Sequence, residues 1–284
     1  MPRDLTGKTI VITGASSGIG AATAVECAQA GMNVILNARR EDRLRDLQSR
    51  IESFERRAII VAGDVTEGDI NDRMLDAAER EFGGFHAVFA NAGYGLNKAV
   101  IDKSDEELRR MFDVNFFAGV RLLREAASRL IDDGRPGHLL MCSSCLSKFA
   151  LPFHANYSAT KAAQNAICAG MRLELDHHDV YVSSVHPITT TTEFFEVAAR
   201  LSGDTNGADI PDHTPGLFVQ PPERVARAVV RCLRKPKPEV WTSHIVRTVA
   251  GLMTIFPALY DWSMRRQMKT EMHQSRERSR APRP

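Results

Sequence analysis

The chain has 284 residues, with 37 Lys and Arg against 35 Asp and Glu, for a formal charge of +2. This near-neutral balance creates no field to attract nucleic acid or another polyanion, and no nucleic-acid partner is expected. Five cysteines, at 27, 142, 145, 168 and 232, are an odd, sparse set that argues against a disulfide framework and for reduced thiols.

In chain order, KTIVIT (8–13) is a short β-branched run that enters the glycine-rich turn TGASSGIG (13–20), and AATAVECAQAG then reads as a helix closed by Gly31. Ahead of it, MPRDLTG lacks the long apolar segment and cleavage site of a secretory signal, so a cytoplasmic location is the default expectation. Where a strand hands over to a helix, glycines let the backbone approach a pyrophosphate and offer it N–H groups at the helix N-terminus. The spacing here is Gly-x-x-x-Gly-x-Gly rather than Gly-x-Gly-x-x-Gly.

NVILNA, RAIIVAG, HAVFANAG, HLLMCSS and VYVSSVHP repeat the strand signal from residues 33, 57, 86, 138 and 180. Between them lie EDRLRDLQSRIESFERR, EGDINDRMLDAAEREFG, SDEELRRMFDVNFFAGVRLLREAASRLI and HANYSATKAAQNAICAGMRLELDHH, with apolar residues three to four apart as in helices. This alternation predicts an α/β fold, a doubly wound parallel sheet with helices on both faces in a single domain. Cys142 and Cys145 follow the HLLM strand at Cys-x-x-Cys spacing, but no second pair or histidine set accompanies them, and no metal site is expected.

Residues 200–222, RLSGDTNGADIPDHTPGLFVQPP, read as a long loop of the kind that often forms a substrate lid. The helix PPERVARAVVRCLRKP follows, and then VWTSHIVRTVAGLMTIFPALYDWSMRRQMK, an apolar extension over 245–284 that ends in a basic tail. Its longest uncharged run, Thr248 to Tyr260, is thirteen residues and is interrupted by Pro257, too short to span a bilayer. From Asp261 onward there are seven basic and three acidic residues, which would suit peripheral contact with an anionic membrane. Packing on the chain's own cleft or on another subunit is the favoured expectation.

One short stretch carries potential chemistry. In NYSATKAA (156–163), Tyr157 and Lys161 fall one helical turn apart on the same face. A phenol titrates near ~10 and becomes useful as a general base only when a neighbouring cation stabilises its phenolate. A lowered phenol pKa is expected, with Lys161 as its cause, helped by the positive charge of a bound cofactor. Tyr and Lys at this spacing are otherwise ordinary helix surface, and the companions decide between the two.

Those companions are Gly14, Ser16, Ser17, Gly18, Ile19 and Gly20 in the turn; Asp64-Val65 after the third strand; Asn91-Ala92-Gly93 after the fourth; Asn115 in a helix; and Ser144 after the fifth. With Tyr157-x-x-x-Lys161 they resemble the short-chain dehydrogenase/reductase family over some two hundred residues. The resemblance implies a Rossmann-type fold and a nicotinamide cofactor, with the turn residues around its phosphates, Asp64 and Val65 at the adenine, and Asn91 to Gly93 near the ribose. It implies Asn115, Ser144, Tyr157 and Lys161 as the catalytic set: Ser144 binding the substrate oxygen, Tyr157 passing the proton, Lys161 gripping the nicotinamide ribose, and Asn115 holding a water. Ser143 ranks second for the serine role, and Ser147 is a further local competitor.

The family's acidic position at the end of the second strand falls on Ala38, and Arg39 falls where phosphate-binding members keep a base, with Arg40 beside it; NADP(H) is expected over NAD(H). After the sixth strand the family's Pro-Gly-x-x-x-Thr becomes Pro187-Ile188-Thr189-Thr190-Thr191-Thr192, with Thr190 and Thr192 candidates for the carboxamide and Ile188 raising doubt about the local path. The implied reaction is hydride transfer to or from a small-molecule carbonyl or alcohol, with a hydrophobic ketone or aldehyde suggested by Phe194, Phe195, Leu217 and Phe218. The alternative is a non-catalytic NADP(H)-sensing or scaffold protein on the same fold. Relatives pair through helices corresponding to 104–131 and 154–177, so a homodimer or homotetramer is expected.

Overall fold

The computed structural model describes residues 1–202, 216–258 and 260–266, apart from the side chain of Leu217. Most of the lid segment and the basic residues beyond 266 lie outside the described residues. The first half runs β1 (Thr9–Thr13), α1 (Gly18–Gln29), β2 (Asn33–Ala38), α2 (Glu41–Glu52), β3 (Ala58–Ala62), α3 (Ile70–Phe82) and β4 (Ala87–Ala90). The second runs α4 (Asp105–Phe112), α5 (Ala118–Asp132), β5 (Gly137–Cys142), α6 (Ala155–Glu174), β6 (Val180–His186), β7 (Thr189–Thr190), α7 (Phe194–Ser202), β8 (Val219–Gln220), α8 (Pro222–Arg234), β9 (Glu239–Trp241) and α9 (His244–Ile255).

Seven strands form one parallel sheet in the order β3-β2-β1-β4-β5-β6-β9. The strands are almost wholly buried, as expected of a sheet covered on both faces. One apolar cluster packs α1, α2 and α8 on one face, through residues such as Ala24, Leu44 and Val229. The other packs α3, α5 and α6 on the opposite face, through Met74, Leu123 and Cys168. The chain leaves β1 toward one edge and resumes at β4 toward the other, and this reversal opens a crevice at the carboxyl ends of the strands, where α/β sheets bind ligands.

Local signals explain most boundaries. At α4, the amide of Glu107 donates to the Ser104 hydroxyl at 3.2 Å while the Ser104 amide donates to the Glu107 carboxylate at 2.9 Å, a reciprocal cap. Gly83, at φ 70°, closes α3 in the left-handed conformation that glycine adopts without penalty.

Three features depart from expectation. The seventh strand, β9, lies where the sequence places the start of the tail; three residues beside prolines carry too little alternation to signal a strand, and only pairing with Ser184–His186 creates it. The long helix of residues 104–131 divides around a wide π turn at Asp113–Phe117. Part of the lid segment is ordered, because Thr189–Thr190 pairs with Val219–Gln220. Among the described residues, no helix is long and apolar enough to cross a membrane.

Candidate active site

The turn between β1 and α1 brings Gly14, Ser16, Ser17, Gly18, Ile19 and Gly20 to the crevice. Gly14 (φ 65°) and Gly18 (φ 54°) take left-handed angles that a side chain would resist. The packing is as tight as the angles are unusual. A methyl group at Gly14 would stand 2.9 Å from the Ala92 Cα, and one at Gly20 would run into the Gly14 carbonyl oxygen. Ser17 caps α1 in an extended conformation but its side chain makes no bond to the helix. The helix start is thus suited to an anion. Gly20→Ala is expected to cost about 1–3 kcal/mol or more of stability through overpacking. A thermal melt and an NADPH titration would show this as a lower midpoint and lost cofactor affinity.

Three strand ends complete this half. Asn37, buried on β2, donates to the Val61 carbonyl at 2.9 Å and to the Gly63 carbonyl at 3.3 Å, which fixes the segment leading to Asp64 and Val65. Asp64 accepts from Thr66 through both amide and hydroxyl and from Arg110 at 2.8 Å; these partners outweigh its partial burial and hold the carboxyl below the usual range. Asn91 donates to the carbonyls of Thr13 and Gly14, and the amides of Asn91 and Ala92 both donate to the Thr13 hydroxyl. Gly93 leaves room for its neighbours: a methyl group there would sit 3.1 Å from Asn115 Oδ1 and 3.6 Å from Lys161 Nζ.

The catalytic candidates converge from the π turn, the end of β5 and the start of α6. Asn115 accepts at Oδ1 from the Tyr94 amide (2.9 Å) and donates from Nδ2 to the Tyr94 carbonyl and to Thr160 Oγ1. Lys161 is 3% exposed, and its Nζ donates to the Cys142 carbonyl at 2.7 Å. Ser144 Oγ accepts from the Leu146 amide at 3.1 Å and lies close enough to the Tyr157 phenol to favour its ionised form, whereas Ser143 donates to the Lys161 carbonyl at 2.9 Å and Ser147 bonds His186 at 3.1 Å. Of the three serines, Ser144 is the one that meets the phenol.

The electrostatics of the chain by itself run against the lowered phenol pKa expected with a cofactor's charge beside it. Burial pushes the Tyr157 phenol well above its ordinary pKa instead of lowering it, and the nearby Ser144 hydroxyl offsets only part of that. Burial also lowers Lys161 to about 8. The ammonium lies 5.4 Å from the Tyr157 ring centroid and is committed to Cys142, so removing both groups from water outweighs their attraction. In this state Tyr157 holds its proton at neutral pH.

Across the crevice, the Pro187 carbonyl accepts from the Cys145 amide at 3.0 Å. Ile188 is buried and stays out of the left-handed region, so this segment is built without the glycine angle. Thr190 Oγ1 donates to the Ile188 carbonyl at 2.8 Å, and the Thr192 methyl faces Gly18. Beyond the body, the Tyr260 hydroxyl donates to the Ala150 carbonyl, and Val246, Val249 and Met253 of α9 line the crevice, so this part of the extension packs on the chain's own cleft.

One continuous cavity of about 1590 Å³ is lined by Gly14, Arg39, Ser144, Tyr157 and Lys161 together, while Asn115 is not among its lining residues. Its glycine turn, open helix start, arginines and buried ammonium fit a nicotinamide dinucleotide. The remaining wall carries the apolar side chains of Leu96, Phe149, Phe153, Phe194 and Met253, with Glu106, Glu107, Arg110, His154 and Arg200 also on its lining.

The sequence marks His186 as standing near a catalytic segment but gives it no role, and it does not single out Asn37, Gln164 or Glu193 as site residues. The Gln164 amide donates to the Asn115 carbonyl inside the π turn. His186 stacks on Trp241 at 4.6 Å and bonds the Ser144 carbonyl at 3.0 Å. A polar side chain at an otherwise apolar strand end or helix face was the available signal for the first three; Glu193 had none.

The sequence profile described as short chain dehydrogenase matches residues 8–200. The uncharacterized oxidoreductase YxnA of Bacillus subtilis is 30% identical over 276 residues, 96% of this chain and 76% of that protein. 3beta-hydroxysteroid dehydrogenase 1 of Eggerthella lenta is 31% identical over 255 residues, 89% of this chain and 96% of that protein. A crystal structure of a short chain dehydrogenase from Mycobacterium paratuberculosis bound to NAD has a TM-score of 0.74 at 25% identity, covering 84% of this chain and 97% of that one. With this match over the crevice-forming residues, the chain belongs to the short-chain dehydrogenase family of oxidoreductases.

Proposed function

We propose that the protein is an NADP(H)-dependent enzyme that interconverts a hydrophobic ketone or aldehyde with its alcohol. The observation that carries this reading is the single cavity that holds Arg39 and Arg40 at one end and an apolar chamber around Tyr157 at the other. Ala38 stands where a carboxylate would repel a 2′-phosphate, and two guanidiniums follow it, one of them 76% exposed at its side chain. Apolar walls, with a hydroxysteroid dehydrogenase among the relatives, support a steroid-like or lipid-like substrate.

Bound nicotinamide supplies or accepts the hydride at its ring carbon. Ser144 holds the carbonyl oxygen while Tyr157 gives it a proton, stabilising the developing negative charge. The raised phenol pKa keeps Tyr157 protonated at neutral pH, the form that donation in the reductive direction requires. Lys161 holds the nicotinamide ribose. Asn115, Thr190 and Thr192 fix the walls on either side.

Initial rates on steroid-like and long-chain ketones, with NADPH against NADH, test the reading. NADPH is expected to give a kcat/KM at least about tenfold higher, since a charge-assisted phosphate contact contributes roughly 1.5–3 kcal/mol. Arg39→Ala should raise the NADPH Kd about 10- to 100-fold and leave NADH binding within about twofold. Equal NADPH affinity in the variant would remove Arg39 from the cofactor site.

Residues 1–244 form the Rossmann unit in this reading, and 245–284 are an added segment of which Val246, Val249 and Met253 line the substrate chamber. Exposed Leu108 on α4, Phe117 just before α5 and Leu173 on α6 support a homodimer or homotetramer joined through those helices.

A further inference from the structure

At the arginine end of the cavity a carboxylate of the chain itself occupies a guanidinium. Arg40 Nη1 pairs with Glu193 Oε2 at 2.7 Å, and Arg43 Nη2 approaches Glu193 Oε1 at 4.0 Å. The other nitrogens of Arg40 reach the cofactor turn: Nε and Nη2 donate to Ser16 Oγ at 3.3 and 3.1 Å, and Nη2 donates to Ser17 Oγ at 3.0 Å. The hydrogen bond from Arg40 keeps the Glu193 carboxyl below its usual range, so it is ionised at neutral pH. Ser16, Ser17, Arg40 and Glu193 all face the one cavity.

Glu193 also sits where it can matter to the other end. It directly precedes α7, whose first residue, Phe194, packs edge-on against the Tyr157 ring at 5.4 Å. Its other neighbour, Thr192, lies against Gly18. The start of α7 is therefore pinned to the cofactor turn by a methyl contact and an ion pair.

We propose that Glu193 is an internal stand-in for the 2′-phosphate of NADP(H): the phosphate displaces it from Arg40 and thereby releases the start of α7 beside the substrate chamber. The proposal rests on the NADP(H) reading. The side chains of Arg40 and Glu193 are 44% and 32% exposed, and ion pairs of that exposure contribute little, at most about 1 kcal/mol. A phosphate near its second ionisation carries more charge than a carboxylate and binds arginine through two parallel bonds. Two anions at one guanidinium also repel each other. Exchange of Glu193 for the phosphate is favoured on each count, whereas NAD(H), without that group, leaves the ion pair in place.

The test uses adenosine 2′,5′-bisphosphate and 5′-AMP, which differ only in the 2′-phosphate, on the full chain and on Glu193→Gln. Calorimetry is expected to show the bisphosphate binding about tenfold tighter to Glu193→Gln than to wild type, with 5′-AMP within about twofold. In wild type, the bisphosphate should speed amide hydrogen exchange over residues 193–202 severalfold and 5′-AMP should not; in Glu193→Gln that segment should exchange fast without ligand. Arg40→Gln should release the segment in the same way yet weaken the bisphosphate. If wild type and Glu193→Gln prefer the bisphosphate by the same ratio, or if its binding leaves exchange over 193–202 unchanged, the displacement idea fails alone. If neither form prefers the bisphosphate over 5′-AMP, the NADP(H) reading fails with it. Glu193 lies at the surface, and matching circular dichroism spectra establish that the variant is folded.

Discussion

Tyr157→Phe is expected to lower kcat by about 10²- to 10⁴-fold, the usual contribution of a positioned proton donor, and to leave the NADPH Kd within about twofold. The phenylalanine ring keeps the edge contact with Phe194 and loses only the hydroxyl that meets Ser144. Fold and cavity should survive, so the loss falls on the chemical step. Stopped-flow reduction together with a fluorescence titration of NADPH separates the two quantities. Turnover within tenfold of wild type would mean that another group delivers the proton.

Lys161→Met should cut kcat/KM for NADPH by about 10²-fold, because it removes a charge-assisted donor from a site closed to water. Its pH dependence is the sharper test. The lysine is a base whose pKa is lowered by burial from its ordinary value to about 8, so the ammonium is present below that pH and is lost above it. kcat/KM reports ionisations of the free enzyme. For wild type it should fall as pH rises through about 8, and in Lys161→Met that fall should be missing. A wild-type profile flat across this interval would mean that cofactor capture does not depend on the ammonium.

How far the sequence revealed this site varied with the range of the physics involved. The turn at 14–20 was legible because each glycine answers a local need, a left-handed angle or a close approach, that the residue type itself displays. Tyr157 and Lys161 were legible as a pair because four residues make one helical turn. Their ionisation was not, because the dominant influence is burial by residues distant in the chain, and burial drove the phenol opposite to the local expectation. Ser144 could be separated from Ser143 only once β5 and α6 were packed, when Ser143 turned to the Lys161 carbonyl. Similarly, β9 exists through its pairing with β6, and Glu193 meets Arg40 across 153 positions of chain that carry no shared signal.

The wide turn at Asp113–Phe117 has a geometric consequence. A regular helix advances about 100° per residue, so one surplus residue absorbed in a widened loop lets the two flanking helices keep separate rotational phases. Upstream, Met111 can point into protein while Arg110 reaches Asp64; downstream, Leu122, Leu123 and Ala126 can face the sheet. A uniform helix would force one of these faces to yield to the other. The irregularity instead turns Asn115 inward to bridge Tyr94 and Thr160, and opens its carbonyl to Gln164. A single added position thus reconciles a structural requirement with a chemical one.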